Sequence, residues 1–126
     1  MGSESDRSHA ERIVVKFDEA KIPYTIYAAS AHKQPLRVLE IIKEWDHKPV
    51  VYITIAGRSN ALLGFVGANS SKPVIACPPF ADKTDMLVNI HSTLQMPSST
   101  PVLTVLDPGN AALAVLRIIS LASEGR

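Results

Sequence analysis

The sequence predicts an α/β fold: a three-layer α/β/α sandwich of the flavodoxin-like kind, built on a parallel sheet. Three observations predict it. The runs Val50 to Ala56 (VVYITIA), Pro73 to Cys77 (PVIAC) and Pro101 to Leu106 (PVLTVL) are β-branched and alternate little, as strands covered on both faces do. Other segments repeat apolar residues every three or four positions, the mark of helices with one buried face. Strands alternating with helices imply right-handed crossovers, hence parallel strands between helical layers.

Each element has its own cause. Ala10, Ile13, Val14 and Phe17 recur at helical spacing, so 7–20 reads as an amphipathic helix that Ser5 or Asp6 can cap. Pro23 ends it, and Tyr24 to Ala29 reads as a strand. Pro35 suits the first position of a second helix, with Val38, Ile41, Ile42 and Trp45 on one face. After the strands at 50–56 and 73–77, Thr84 to Leu94 reads as a helix. The last strand, 101–106, leads into a helix over Asn110 to Ala122 that is apolar around most of its circumference. Such a helix is buried on more than one side, which in a small domain suggests a subunit interface. No strand precedes Met1-Gly2-Ser3, where a doubly wound sheet places a central one. Residues 1–126 therefore read as one domain whose first strand is absent from the sequence.

Bulk properties narrow the function classes. A chain of 126 residues, 46% hydrophobic and 20% charged, has the composition of one globular domain. The net charge is +1 and the basic residues are scattered, which argues against a nucleic-acid surface. No apolar run reaches the roughly 18–20 residues of a membrane span. The polar stretch Met1 to Arg12 does not resemble a signal peptide. Cys77 stands alone and has no partner for an internal disulfide, which fits a cytoplasmic location. Its setting between a strand and two prolines suggests a small buried side chain rather than a nucleophile.

In open parallel sheets, ligands bind at the carboxyl ends of the strands. The loops leaving those ends are 30–35, 57–60, 78–80 and 107–109, and the opening Met1 to Asp6 sits just before a helix. Gly2, Ser3, Ser5 and Asp6 read either as a phosphate cradle with a ribose-binding carboxylate or as an ordinary helix cap. Ser30-Ala31-His32-Lys33 offers a proton-shuttling imidazole and a cation, or two solvated side chains. Ala56-Gly57-Arg58-Ser59-Asn60 gives a tight exit and hydrogen-bond donors for a developing carboxylate, or a cap for the next segment. His9, His47 and His91 show no metal-ligand spacing and read as surface or packing residues.

These strings resemble one family in order and spacing. MGSESD, SAHK with a following proline, ITIAGRSNALLGFVGA, PVIACPP, and STLQMPS with a downstream NAA are similar to the phosphoribosylaminoimidazole carboxylase (PurE) family over nearly the whole chain. The AGRSN and CPP forms resemble the class II branch, the direct carboxylase of aminoimidazole ribonucleotide (AIR). The other branch, the N5-carboxyaminoimidazole ribonucleotide mutase, typically carries a second histidine where Arg58 to Leu63 has none, and usually arginine where Lys33 stands.

The resemblance implies a carboxy-lyase of de novo purine biosynthesis. It joins CO2 to AIR, giving 4-carboxy-AIR, without biotin, ATP or metal. His32 is implied as the general acid/base. Gly2, Ser3, Ser5, Ser30 and Asp6 would line the phosphate and ribose site. Ser59 and Asn60, with backbone near Gly57, would hold the carboxylate, and Lys33 would neutralise carboxylate or phosphate. Ala31, Ala56 and Arg58 fall within the same motifs. A homo-oligomer, octamer or tetramer, is also implied. The alternatives are the mutase and a non-catalytic nucleotide-phosphate-binding module. Ser99 departs from the family pattern, which often has glycine there, and a C-terminal extension seen in some members is missing.

Overall fold

Three parallel strands make the sheet: β1 (Tyr52–Thr54), β2 (Val74–Ala76) and β3 (Leu103–Thr104), in the order β1-β2-β3. They belong to a computed structural model that describes residues 1–124. Tyr52, Ile53 and Thr54 pair with Val74, Ile75 and Ala76, and Ile75 and Ala76 pair with Leu103 and Thr104. Single bonds extend the pattern past both ends, from Tyr52 N to Pro73 O and from Cys77 N to Thr54 O. The ladders are thus shorter than the apolar runs that announce them.

Five helices flank or cap the sheet: α1 (Arg7–Glu19), α2 (Pro35–Trp45), α3 (Leu62–Asn69), α4 (Lys83–Leu94) and α5 (Pro108–Glu124). Successive strand residues point to opposite faces, and the core divides accordingly. Ile53, Ile55, Ile75 and Cys77 join Ile13 and Phe17 of α1 and Ala111 and Val115 of α5. Tyr52 and Val74 join Val38, Ile41 and Ile42 of α2 and Leu62 and Val66 of α3. This is the three-layer sandwich the sequence predicts. Adding a Cβ at Gly67 of α3 would bring it 2.8 Å from Val102, so glycine permits the close approach of that helix to the chain entering β3.

Two expectations change, and one helix was not anticipated. Tyr24 to Ala29 is extended but is not a strand of this sheet. A strand needs a neighbour, and the backbone beside this segment is Met1, whose N–H group donates to Tyr27 O (2.9 Å) and whose carbonyl accepts from Ala29 N (2.9 Å). Asp6 holds the N-cap position of α1 but makes no side-chain cap bond; the capping hydroxyl is that of Ser3, which accepts from Ser5 N (3.3 Å) at the head of a 3-10 turn over Glu4–Asp6 that runs into α1. Helix α3 has no amphipathic stripe to announce it, because Leu62 to Ala68 is apolar or glycine throughout.

Candidate active site

The three loops singled out in the sequence converge on one cavity of about 380 Å³ at the carboxyl end of the sheet. Gly2, Ser3, Ser5 and Asp6 form one wall, Ser30, Ala31 and His32 a second, and Ala56 to Asn60 a third. Connectivity explains the meeting. Gly2 N donates to Ile55 O (2.9 Å), so the opening turn is stitched to the residue after β1. Ala29 N donates to Met1 O, which lays the 30–33 turn beside the same opening.

Each wall has a local cause. At the 30–33 turn, Lys33 N donates to Ser30 Oγ (3.2 Å) and Gln34 N to Ser30 O (2.7 Å), and His32 is left exposed at the cavity. In the 57–60 loop, a Cβ on Gly57 would lie 2.5 Å from Pro79 O, so only glycine fits there. Ser59 takes φ 42, the left-handed region that a serine enters only under constraint. The constraint comes from Asn60 and α4. Asn60 N donates to Ser92 Oγ (3.0 Å), and Asn60 Nδ2 donates to Ala56 O (2.6 Å) and Thr93 Oγ1 (3.0 Å).

The geometry bears on two of the expected site residues. Asn60 is buried and both its amide hydrogens are spent inside the protein, so it does not offer a donor to a carboxylate; its Oδ1 has no partner. Lys33 is not among the residues that line the cavity; its backbone N–H closes the turn on Ser30 Oγ. The cavity also takes in Ala61, Leu62, Pro79 and Asp85. Pro79 lies in a strand-end loop, which was its signal. Asp85 had none: it sits on α4, where it accepts from Ala81 N (2.8 Å) and Asn89 Nδ2 (2.6 Å).

Charge in the site is sparse. Partial burial raises the Asp6 carboxyl above its ordinary value, against the opposing pull of the nearby ammonium and His9. The Ala81 N–H bond lowers Asp85, helped by Asn89 and by Arg58, whose Nε stands 3.9 Å away. Behind the site, His9 Nε2 donates to Cys77 O (3.1 Å), since a carbonyl only accepts. Burial pushes the Cys77 thiol up to about 12, with the Asp107 charge adding to it, so Cys77 is a packing residue. Among the described residues, no three His, Cys, Asp or Glu side chains are placed to hold a metal ion.

Comparisons with known proteins agree with one another. A family profile described as AIR carboxylase matches residues 1–125. A phosphoribosylaminoimidazole carboxylase of Archaeoglobus fulgidus is 50% identical over 99% of this chain and 69% of its own length. An N5-carboxyaminoimidazole ribonucleotide mutase of Methanocaldococcus jannaschii is 44% identical over 98% of this chain and 78% of its own. A crystal structure of Treponema denticola PurE superposes with a TM-score of 0.88 at 46% identity, covering 96% of this chain and 77% of that one. On these findings, the chain belongs to the AIR carboxylase family.

Proposed function

We propose that this protein is a carboxy-lyase that reversibly joins CO2 to C4 of AIR, giving 4-carboxy-AIR in purine biosynthesis. The observation that carries the reading is the meeting of His32, the Ser3–Asp6 turn and the Ser59 loop around one cavity. C4 of the aminoimidazole is electron-rich, because the neighbouring amino group pushes density into the ring as in an enamine. Attack on CO2 is then largely a matter of holding both in contact. Addition leaves a proton on the carbon that now bears the carboxylate, and His32 removes it to restore aromaticity. Ser3, Ser5 and Ser30 take the phosphate and ribose, Gly2 lets the ligand approach the backbone, and Asp6 takes the ribose hydroxyls. Ser59 and the backbone at Gly57 receive the carboxylate. Asn60 acts by fixing that loop.

A second reading is the mutase, which starts from the carbamate of AIR. The 44% identity to the Methanocaldococcus jannaschii protein favours it. The absence of any histidine from Arg58 to Leu63 favours the carboxylase. Purified protein supplied with AIR and bicarbonate, without ATP, decides between them. Product rising with dissolved CO2 is the expected outcome; turnover of the carbamate alone overturns it. His32→Asn tests the role of the imidazole. Turnover is expected to fall by about 100- to 10,000-fold with AIR still bound. Unchanged turnover would show that His32 is not the acid/base, whereas AIR binding with no turnover in the parent would favour a non-catalytic binding module.

The homo-oligomer read from the sequence, an octamer or tetramer, is proposed on exposed apolar side chains of two helices. Leu87, Val88 and Leu94 of α4 and Leu121 of α5 are exposed. Among the described residues, no helix is long and apolar enough to cross a membrane.

A further inference from the structure

His9 lies behind the candidate active site and has no part in the chemistry described above. Its Nε2–H is shared between two atoms of Cys77, the carbonyl oxygen (3.1 Å) and Sγ (3.4 Å). The thiol hydrogen is turned toward Leu106 O (3.6 Å), which leaves the sulfur free to accept. The imidazole is half-buried, and desolvation lowers its pKa from 6.5. The ring is therefore neutral at pH 7, and its one N–H is committed to Cys77.

The place of this bond in the chain gives it weight. Cys77 N donates to Thr54 O (2.9 Å), the last backbone bond tying this segment to the sheet. Next come Pro78 and Pro79, which have no N–H to give. Among the described residues, Pro78, Pro79 and Phe80 make no hydrogen bond, and the chain is next held at Ala81 N, which donates to Asp85 Oδ2 (2.8 Å). His9 therefore holds the peptide that leads into the two prolines. Pro79 lines the active-site cavity, and a Cβ on Gly57 would stand 2.5 Å from its carbonyl oxygen, so that carbonyl is the floor on which Gly57 rests. In the other direction, His9 sits one turn along α1 from Asp6, which belongs to the first wall. A single imidazole thus joins the helix behind one wall to the support of another.

We propose that His9 is a positioning residue for carboxylation: by holding the Cys77 carbonyl it fixes Pro79 beneath Gly57, and so sets the loop that receives the carboxylate. This role rests on the carboxylase reading given above. Without the imidazole N–H, the carbonyl of fully buried Cys77 loses its partner, and the proline segment is free to shift against a Gly57 contact that has no slack. Ser59, held at φ 42 two residues further on, moves with Gly57. Small displacements of groups that hold reacting atoms cost rate out of proportion to their size. The phosphate end is spared, because the Ser3–Asp6 turn is fixed separately by the bond from Gly2 N to Ile55 O (2.9 Å).

The test compares the parent with His9→Leu and His9→Gln, each well below its thermal midpoint. Glutamine brings an amide N–H close to the Nε2 position, whereas leucine keeps bulk and offers no donor. Three quantities are measured: kcat with AIR and bicarbonate, calorimetric affinity for AIR and for 4-carboxy-AIR, and amide exchange at Gly57 to Ser59. In His9→Leu, kcat and the affinity for 4-carboxy-AIR are each expected to fall about tenfold, the scale of one net hydrogen bond, with the affinity for AIR within about twofold of the parent's. Exchange at Gly57 to Ser59 should quicken. His9→Gln should recover most of each loss. Equal losses of affinity for the two nucleotides, or a His9→Gln as impaired as His9→Leu, overturn the proposal. If His9→Leu does not fold, His9→Asn takes its place, since its amide nitrogen overlays Nδ1 rather than Nε2; failure of both to fold makes His9 a determinant of the fold and overturns the positioning role. A parent that turns over no AIR overturns the carboxylase reading and this role with it. An active parent whose His9→Leu variant keeps kcat and exchange unchanged overturns the role alone.

Discussion

Ser99 and His9 show how single residues are set by their surroundings. Ser99 is exposed and holds φ 64, a conformation that costs a side-chain-bearing residue about 1–2 kcal/mol and glycine nothing. This is a physical reason for glycine at that position. Ser99→Gly is expected to raise stability by about 0.5–1 kcal/mol, the relief being partly offset by the freer unfolded chain. Urea unfolding reads it, and an unchanged or lower midpoint refutes it. His9 is half-buried, and burial lowers its imidazole from an ordinary 6.5, against the Cys77 carbonyl bond that raises it. As pH falls below 6.5, the unfolded chain gains a proton here that the folded chain resists. The ring's contribution is therefore complete above 6.5 and is lost as pH drops toward the lower folded value. His9→Gln should flatten the stability profile below 6.5 relative to the parent; parallel profiles would contradict this.

At the scale of elements, α4 matters to the site more than its weak packing suggests. It buries only Thr93, yet Ser92, Thr93 and Asp85 reach the loop after β1. Thr93→Val removes the acceptor for Asn60 Nδ2 while keeping the shape. A loss of about 1 kcal/mol is expected in urea unfolding, with a lowered kcat/KM and an unchanged pH–rate profile, because Thr93 acts through the loop. Stability and kcat/KM both equal to the parent's would show that α4 does not hold the loop. Legibility also divides by element. The stripe Val38, Ile41, Ile42 announced α2, since one face is buried and the other wet. No such contrast exists over Leu62 to Ala68, where Leu62, Leu63, Val66 and Gly67 are all buried, so α3 gave no period to read. Tyr24 to Ala29 has the residues of a strand, but pairing belongs to two segments, and one segment's pattern does not contain it. The site loops were legible because glycine, serine and histidine at strand ends carry local chemistry. The fate of Asn60 was not: whether an amide faces ligand or protein depends on Thr93, far along the chain.

At the scale of the whole molecule, core and site meet at the start of the chain. Met1 is buried in the cluster of Ile13 and Phe17, and Gly2 lines the polar cavity, so one peptide separates the two. The same wholeness is visible at Cys77, the one sulfhydryl of the chain. Burial pushes its thiol up to about 12, so the folded molecule holds the sulfur as the unreactive thiol at pH 8. Alkylation by iodoacetamide must then wait for the structure to open. The expected labelling rate is the exposed-thiol rate multiplied by the open fraction, followed by mass spectrometry. It should slow in Ser99→Gly and quicken in Thr93→Val by the same factors as their unfolding equilibria. Rapid labelling of the native parent would show that a local route to the sulfur exists. If it does not, one atom at the centre of the sheet serves as a built-in clock for the opening of the entire fold.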